Sequence, residues 1–174
     1  MNEKEAVAKA IAQTGALQFG LFKDGRGKPI PYYLDLTKLW SEPTWLRLAC
    51  DMMQDVIRRD ANLIFDRIGG ADFTGLPLAA GMAQRLNMPL IVLRRKDHIG
   101  KQELPVIGNL FPGERILVVD DVIATGSKAM EIAHQVRTEG GLLSAYLVLL
   151  DKEQGGSNLL KSENMKLIPI LSIS

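Results

Sequence analysis

Apolar residues recur along this chain in two different rhythms. Ala6, Val7, Ala10 and Ile11 return at helical spacing before a Thr14-Gly15 stop. Leu46, Ala49, Met53, Val56 and Ile57 do the same behind Ser41 and Pro43, which open a second helix. Between them FKDGRGKPIPYYLDL, residues 22–36, carries two glycines and two prolines, so it reads as an irregular basic loop leading into a strand. From Leu63 the rhythm changes. Strands are predicted at LIFDRI (63–68), PLIVLRR (89–95), RILVVDD (115–121) and LLSAYLVLLD (142–151). Helices are predicted at LPLAAGMAQRL (76–86) and SKAMEIAHQVRTEGG (127–141), and the tail 152–174 holds a short helix and a last strand. This alternation defines an α/β fold with a mostly parallel sheet flanked by helices, whose ligands bind beyond the carboxyl ends of the strands.

Length and charge narrow the classes. A chain of 174 residues fits one domain with a sizeable core. Lysine and arginine number 21 against 20 aspartates and glutamates, so nothing in the overall balance calls for nucleic acid or an acidic membrane. The single cysteine, Cys50, lies among Leu48, Ala49, Met52 and Met53 and reads as core packing. The N-terminal stretch lacks a signal peptide's apolar centre, and no apolar run is long enough to span a bilayer, which predicts a soluble cytoplasmic protein.

One stretch carries chemistry. In ILVVDDVIATGS, residues 116–127, a buried strand runs into two adjacent carboxylates and then into small residues. Neighbouring carboxylates repel and resist desolvation, so a cation or polar ligand is expected beside them. Ala124, Thr125, Gly126 and Ser127 leave backbone N–H groups exposed at a helix start, where the dipole favours an anion. Thr125 and Ser127 add hydroxyls, while Asp120 and Asp121 suit sugar hydroxyls or a metal. A ribose 5-phosphate, with or without a divalent cation, meets both demands. A receiver domain would place its acids near the chain start, and a Walker A loop needs an earlier glycine that Gly126-Ser127-Lys128 lacks.

ILVVDDVIATGS resembles the phosphoribosyl-pyrophosphate (PRPP) motif of the type I phosphoribosyltransferases. The resemblance implies their Rossmann-like fold as a single domain, with a core of about residues 44–151 and a small hood from about 1–40 and 152–174. It implies that Asp120 and Asp121 face the ribose hydroxyls, and that Val122 and Ala124 to Ser127 hold the 5-phosphate. It also implies Asp121 as a catalytic residue, and Mg²⁺ held mainly by PRPP, with Asp120 and Asp121 as the only candidate protein ligands. GGADFTGLPLAAG, residues 69–81, resembles the family's pyrophosphate loop through Gly70, Thr74 and Gly75. RRKDHIGKQELP, residues 94–105, stands where the family's basic catalytic loop does, with Arg95, Lys96, His98 and Lys101 as cations for departing pyrophosphate and Lys96 and His98 as catalytic candidates.

Three further stretches resemble the orotate branch of that family. FKDGRGKPIPYYLDL agrees with its pattern at Phe22, Gly27, Pro31, Tyr32, Tyr33, Asp35 and Leu36, LLDKEQGG resembles its D-R-x-E-G-G stretch, and the order of elements agrees through to LIPILSIS. By that resemblance Lys23, Tyr32, Tyr33, Ala124 and Lys152 contact the base, which is orotate, and the protein is a homodimer. The departures fall on base and leaving-group contacts: Gly25 takes the place of a base-reading lysine, Ala124 of threonine and Lys152 of arginine, and the basic loop is shortened. Transfer to another base, a purine or a modified pyrimidine, and a PRPP-binding regulator without turnover, are the two alternatives.

Overall fold

The computed structural model describes residues 3–23, 27, 29–96 and 104–173. The chain divides into two compact units, Met1–Ala49 and Cys50–Ser174.

The first unit contains helix α1 (Glu3–Gln13), strands β1 (Leu17–Lys23) and β2 (Pro29–Leu34), and the short α2 (Thr37–Trp40). β1 and β2 pair antiparallel, with Leu17 opposite Leu34 and Phe19 opposite Tyr32. The stretch read as loop up to the tyrosines is thus half of a hairpin, and β1 itself was not foreseen. Its side chains are mostly exposed, so no alternation of apolar and polar residues marks it. Helix α3 (Pro43–Arg59) leads out of this unit.

The second unit is built on a six-stranded sheet. Its elements are β3 (Arg67–Ala71), α4 (Asp72–Leu86), β4 (Leu90–Leu93), β5 (Val106–Ile107), β6 (Arg115–Ile123), α5 (Ser127–Thr138), β7 (Leu142–Asp151), α6 (Gly156–Ser162) and β8 (Leu167–Ser172). The strand order is β5-β4-β3-β6-β7-β8, parallel throughout except for β5 at one edge. α4 packs on β3 and β6, and α5 on β4, β6 and β7. Ile91, Leu93, Ile116, Val118, Ile132, Val136 and Val148 form the buried centre, each such side chain contributing about 1.5–3 kcal/mol relative to exposure.

Two expectations are corrected. Strand β3 begins at Arg67, not at Leu63, and includes the glycines that read as loop. A Cβ at Gly69 would lie 2.7 Å from Leu93 Cδ1 and 3.0 Å from Ile116 Cγ2, so this central strand is glycine-containing because its neighbours fill the space. The tail 152–174, expected in a hood, belongs to the sheet unit. Leu167–Ser172 pairs parallel with β7 and buries Ile168 and Ile170, and Pro169, which cannot donate to a ladder, is tolerated because β8 is an edge strand.

Candidate active site

β6 ends at the centre of the sheet, and the chain turns from it into α5. Asp120 and Asp121 occupy the last part of the strand and are almost fully buried, at 1% and 4% exposure. Gly126 makes the turn at φ +85°, a backbone conformation that a side chain would strain. No side chain caps α5 at Gly126, so N–H groups of its first turn remain for an anion. A cavity of about 180 Å³ opens here, lined by Val122, Ala124, Thr125, Gly126, Ser127 and Lys128 among others. Thr125 Oγ1 and Ser127 Oγ stand 3.1 Å apart at its exposed rim. The predicted phosphate loop is therefore one contiguous concave surface.

The two aspartates are held differently. Asp121 Oδ1 accepts from Val122 N at 2.8 Å and from Thr74 Oγ1 at 3.0 Å. Asp120 Oδ1 accepts from Asp121 N at 2.9 Å and from Lys128 Nζ at 2.8 Å, and its Oδ2 accepts from Tyr146 Oη at 2.7 Å. Lys128 Nζ also donates to Thr74 Oγ1 at 3.1 Å. A chain of contacts thus runs Tyr146, Asp120, Lys128, Thr74, Asp121. Burial pushes the Asp120 carboxyl up to about 7, with Lys128 pulling it back and Asp121 adding to the rise. The Tyr146 hydroxyl is pushed well up by burial and by the neighbouring Asp120, Asp121 and Asp72.

Thr74 and Gly75 bring the β3–α4 loop to the same place. A Cβ at Gly75 would stand 2.6 Å from Val119 O and 3.0 Å from Asp120 Cα, so only glycine lets α4 approach the β6 backbone this closely. Asp72, buried beside them, carries φ +59°, an uncommon conformation for a side-chain-bearing residue. This loop and the phosphate loop are joined by the Thr74–Asp121 bond.

The other predicted residues are placed more loosely. Arg95 and Lys96 follow the end of β4 and are tied to α5 through Glu131, which accepts from Lys96 N at 2.5 Å and pairs with Arg95 Nε at 3.8 Å. His98 and Lys101 lie outside the described residues, as does Gly25. Lys23 ends β1, and Tyr32 and Tyr33 lie on β2, where the Tyr33 ring stands 5.6 Å from that of Phe22. Lys152 follows β7 and donates its backbone N–H to Ile123 O at 2.9 Å. Four residues further on, Gly156 N donates to Ala124 O at 2.8 Å, so the second glycine of DKEQGG is tied main chain to main chain to the turn after β6.

Three residues of this site escaped the sequence reading. Tyr146 reads as one more apolar position of β7, although a buried tyrosine hydroxyl needs a partner, which was the available signal. Lys128 was weighed only as part of a Walker A loop, yet a cation in the first turn of a helix stands against the dipole and asks for a local anion. Asp72 carried no signal beyond its place in a glycine-flanked loop.

A buried strand end that offers paired carboxylates, an uncapped helix start and a second glycine loop within hydrogen-bonding reach has the chemistry that a sugar phosphate demands. The chain matches the phosphoribosyl transferase domain family over residues 42–165 and belongs to it. Orotate phosphoribosyltransferase of Pyrococcus abyssi is 28% identical over 171 residues, which cover 98% of this chain and 93% of that protein. The enzyme of the same description from Thermoplasma acidophilum is 30% identical over 94% of this chain and 92% of its own length. Among solved structures, orotate phosphoribosyltransferase from Aeropyrum pernix matches with a TM-score of 0.81 at 28% identity, covering 95% of this chain and 93% of that one.

Proposed function

We propose that this phosphoribosyltransferase transfers ribose 5-phosphate from PRPP to orotate, releasing pyrophosphate and forming orotidine 5-phosphate for pyrimidine nucleotide synthesis. The observation that carries the reading is the end of β6, where Asp120, followed in sequence by Asp121, lines one cavity with an open helix start, in a chain whose relatives match end to end. In this reading the N–H groups of Ala124 to Ser127 take the 5-phosphate and Asp121 orients the ribose hydroxyls. Thr74, Gly75, Arg95 and Lys96 face the pyrophosphate. As the C1–O bond to pyrophosphate breaks, positive charge grows on the ribose ring and a base nitrogen forms the new bond to C1. The protein's part is to hold the reactants in line and to stabilise the charges that develop, with no protein nucleophile required.

A divalent cation fits this chemistry as a companion of the substrate. Among the described residues no cluster of three potential metal ligands exists, and Asp120 already has donors on both oxygens. Mg²⁺ therefore enters on the phosphates of PRPP, where it would neutralise the leaving group. No described helix is long and apolar enough to cross a membrane, and a cytoplasmic homodimer completes the reading by analogy with the family, the dimer being checked by sedimentation equilibrium.

The test is an assay of pyrophosphate release with PRPP, Mg²⁺ and, separately, orotate, uracil, adenine, guanine, hypoxanthine and xanthine. Release with orotate alone is expected. Release with another base instead would move the assignment within the class, a reading favoured by Ala124 and Lys152 standing where the orotate branch carries threonine and arginine. Uptake of PRPP without release would make the protein a regulator.

A further inference from the structure

Lys128 is unusual for its position. It occupies the first turn of α5, where the helix dipole disfavours a cation, and its side chain folds back from the rim instead of extending into solvent. Its ammonium reaches the buried Asp120 Oδ1 at 2.8 Å and the Thr74 hydroxyl at 3.1 Å, and the side chain keeps only 25% of its exposure. Thr74 then donates its own proton to Asp121. One ammonium is thereby coupled to both carboxylates of the pair, directly to one and through a hydroxyl to the other. The opposite oxygen of Asp120 is closed by Tyr146, and a third carboxylate, Asp72, is near enough to act on that tyrosine. In this acidic pocket, buried carboxylates require a countercharge.

A divalent cation seeking these carboxylates would need the oxygen that Lys128 holds. We propose that Lys128 is the resident counter-ion of the acidic pair, occupying the position on Asp120 and Thr74 that a metal would otherwise take, so that the substrate-free protein binds no divalent cation there. Lys128 is in this sense a positioning residue. It offsets part of the burial cost of Asp120, ties the β3–α4 loop to α5, and leaves metal to arrive only with a phosphorylated ligand. This deepens the proposed function and rests on it for its meaning, but its measurement uses no substrate. A protein that failed the base assay could still pass, and the converse also holds.

The experiment titrates Mn²⁺ into the substrate-free full-length protein and follows the free-ion electron paramagnetic resonance signal. Wild type and K128R are expected to leave the signal at its free level through the micromolar range. K128M, which keeps the side-chain length without the charge, is expected to take up one Mn²⁺ at least tenfold more tightly, and D120N added to K128M is expected to abolish that uptake. A merely structural role for Lys128 would give no new metal site on neutralisation. Micromolar uptake by wild type, or no gain in a folded K128M, overturns the proposal. K128Q serves if K128M fails to fold by circular dichroism, and if neither folds, the wild-type titration decides, with uptake against and none in favour.

Discussion

The two ends of the central strands treat their carboxylates in opposite ways. At the amino end of β3 and β6, Arg67 grips Glu114 with two bonds of 2.9 and 2.7 Å, and Arg115 grips Asp66 with two of 2.8 and 2.7 Å. These arginines hold both carboxyls below the usual range. At the carboxyl end burial drives Asp120 upward, and a single lysine answers several acids. One end matches each charge with a planar fork, while the other concentrates like charges around an open cavity. The first arrangement stabilises; the second crowds like charges at a cost in the empty protein, the pattern by which binding sites are recognised.

That contrast can be broken most severely at Asp121. D121N is expected to lower kcat/KM for PRPP by roughly 100-fold, the order expected for losing one preorganised polar contact, with melting temperature nearly unchanged. Unchanged kinetics would remove Asp121 from the ribose site. G75A comes next: its Cβ must displace the β6 backbone, which costs about 1–3 kcal/mol and several degrees of melting temperature at this chain length, together with loss of PRPP affinity. Scanning calorimetry and a PRPP titration check it.

The contrast sharpens with pH, because the two ends titrate with opposite sign. A carboxyl raised in the folded state contributes stability that is present below its unfolded value near 3.9 and lost as pH rises through about 7. Lowered carboxyls such as Asp66 and Glu114 contribute stability that is present above the unfolded value and lost as pH falls through the folded one. Wild type is therefore expected to lose stability between about pH 4 and 7 by a component absent from D120N, measured by urea unfolding across that range. Equal slopes in the two proteins would show that Asp120 is not shifted. The smallest effect is expected for E114Q, which should lower acid resistance and melting temperature slightly while leaving kcat/KM for PRPP unaltered. A large kinetic effect would erase the distinction between the ends.

The same comparison shows what the sequence could reveal. The β6 end was legible because an apolar run, paired acids and small residues follow one another in twelve positions, so that local order is spatial order. The alternation of strands and helices was legible for the same reason. What escaped depends on contacts distant in sequence. Gly69 and Gly70 read as loop because the neighbours that demand glycine, Leu93, Ile116 and Ala79, lie on other elements. Tyr146 gains its role from Asp120 on the neighbouring strand, and Lys128 from joining Asp120 to Thr74 on another loop. The tail's place at the sheet edge rests on pairing with β7, which periodicity alone does not specify.

Gly156 has a wider consequence. A Cβ there would sit 2.7 Å from Ala124 O, and one at Gly126 would sit 3.1 Å from Gly156 Cα, so two turns thirty residues apart touch main chain to main chain. Changes in the segment after Asp151 will therefore also reshape the turn at 124–126, so the two stretches cannot be altered one at a time.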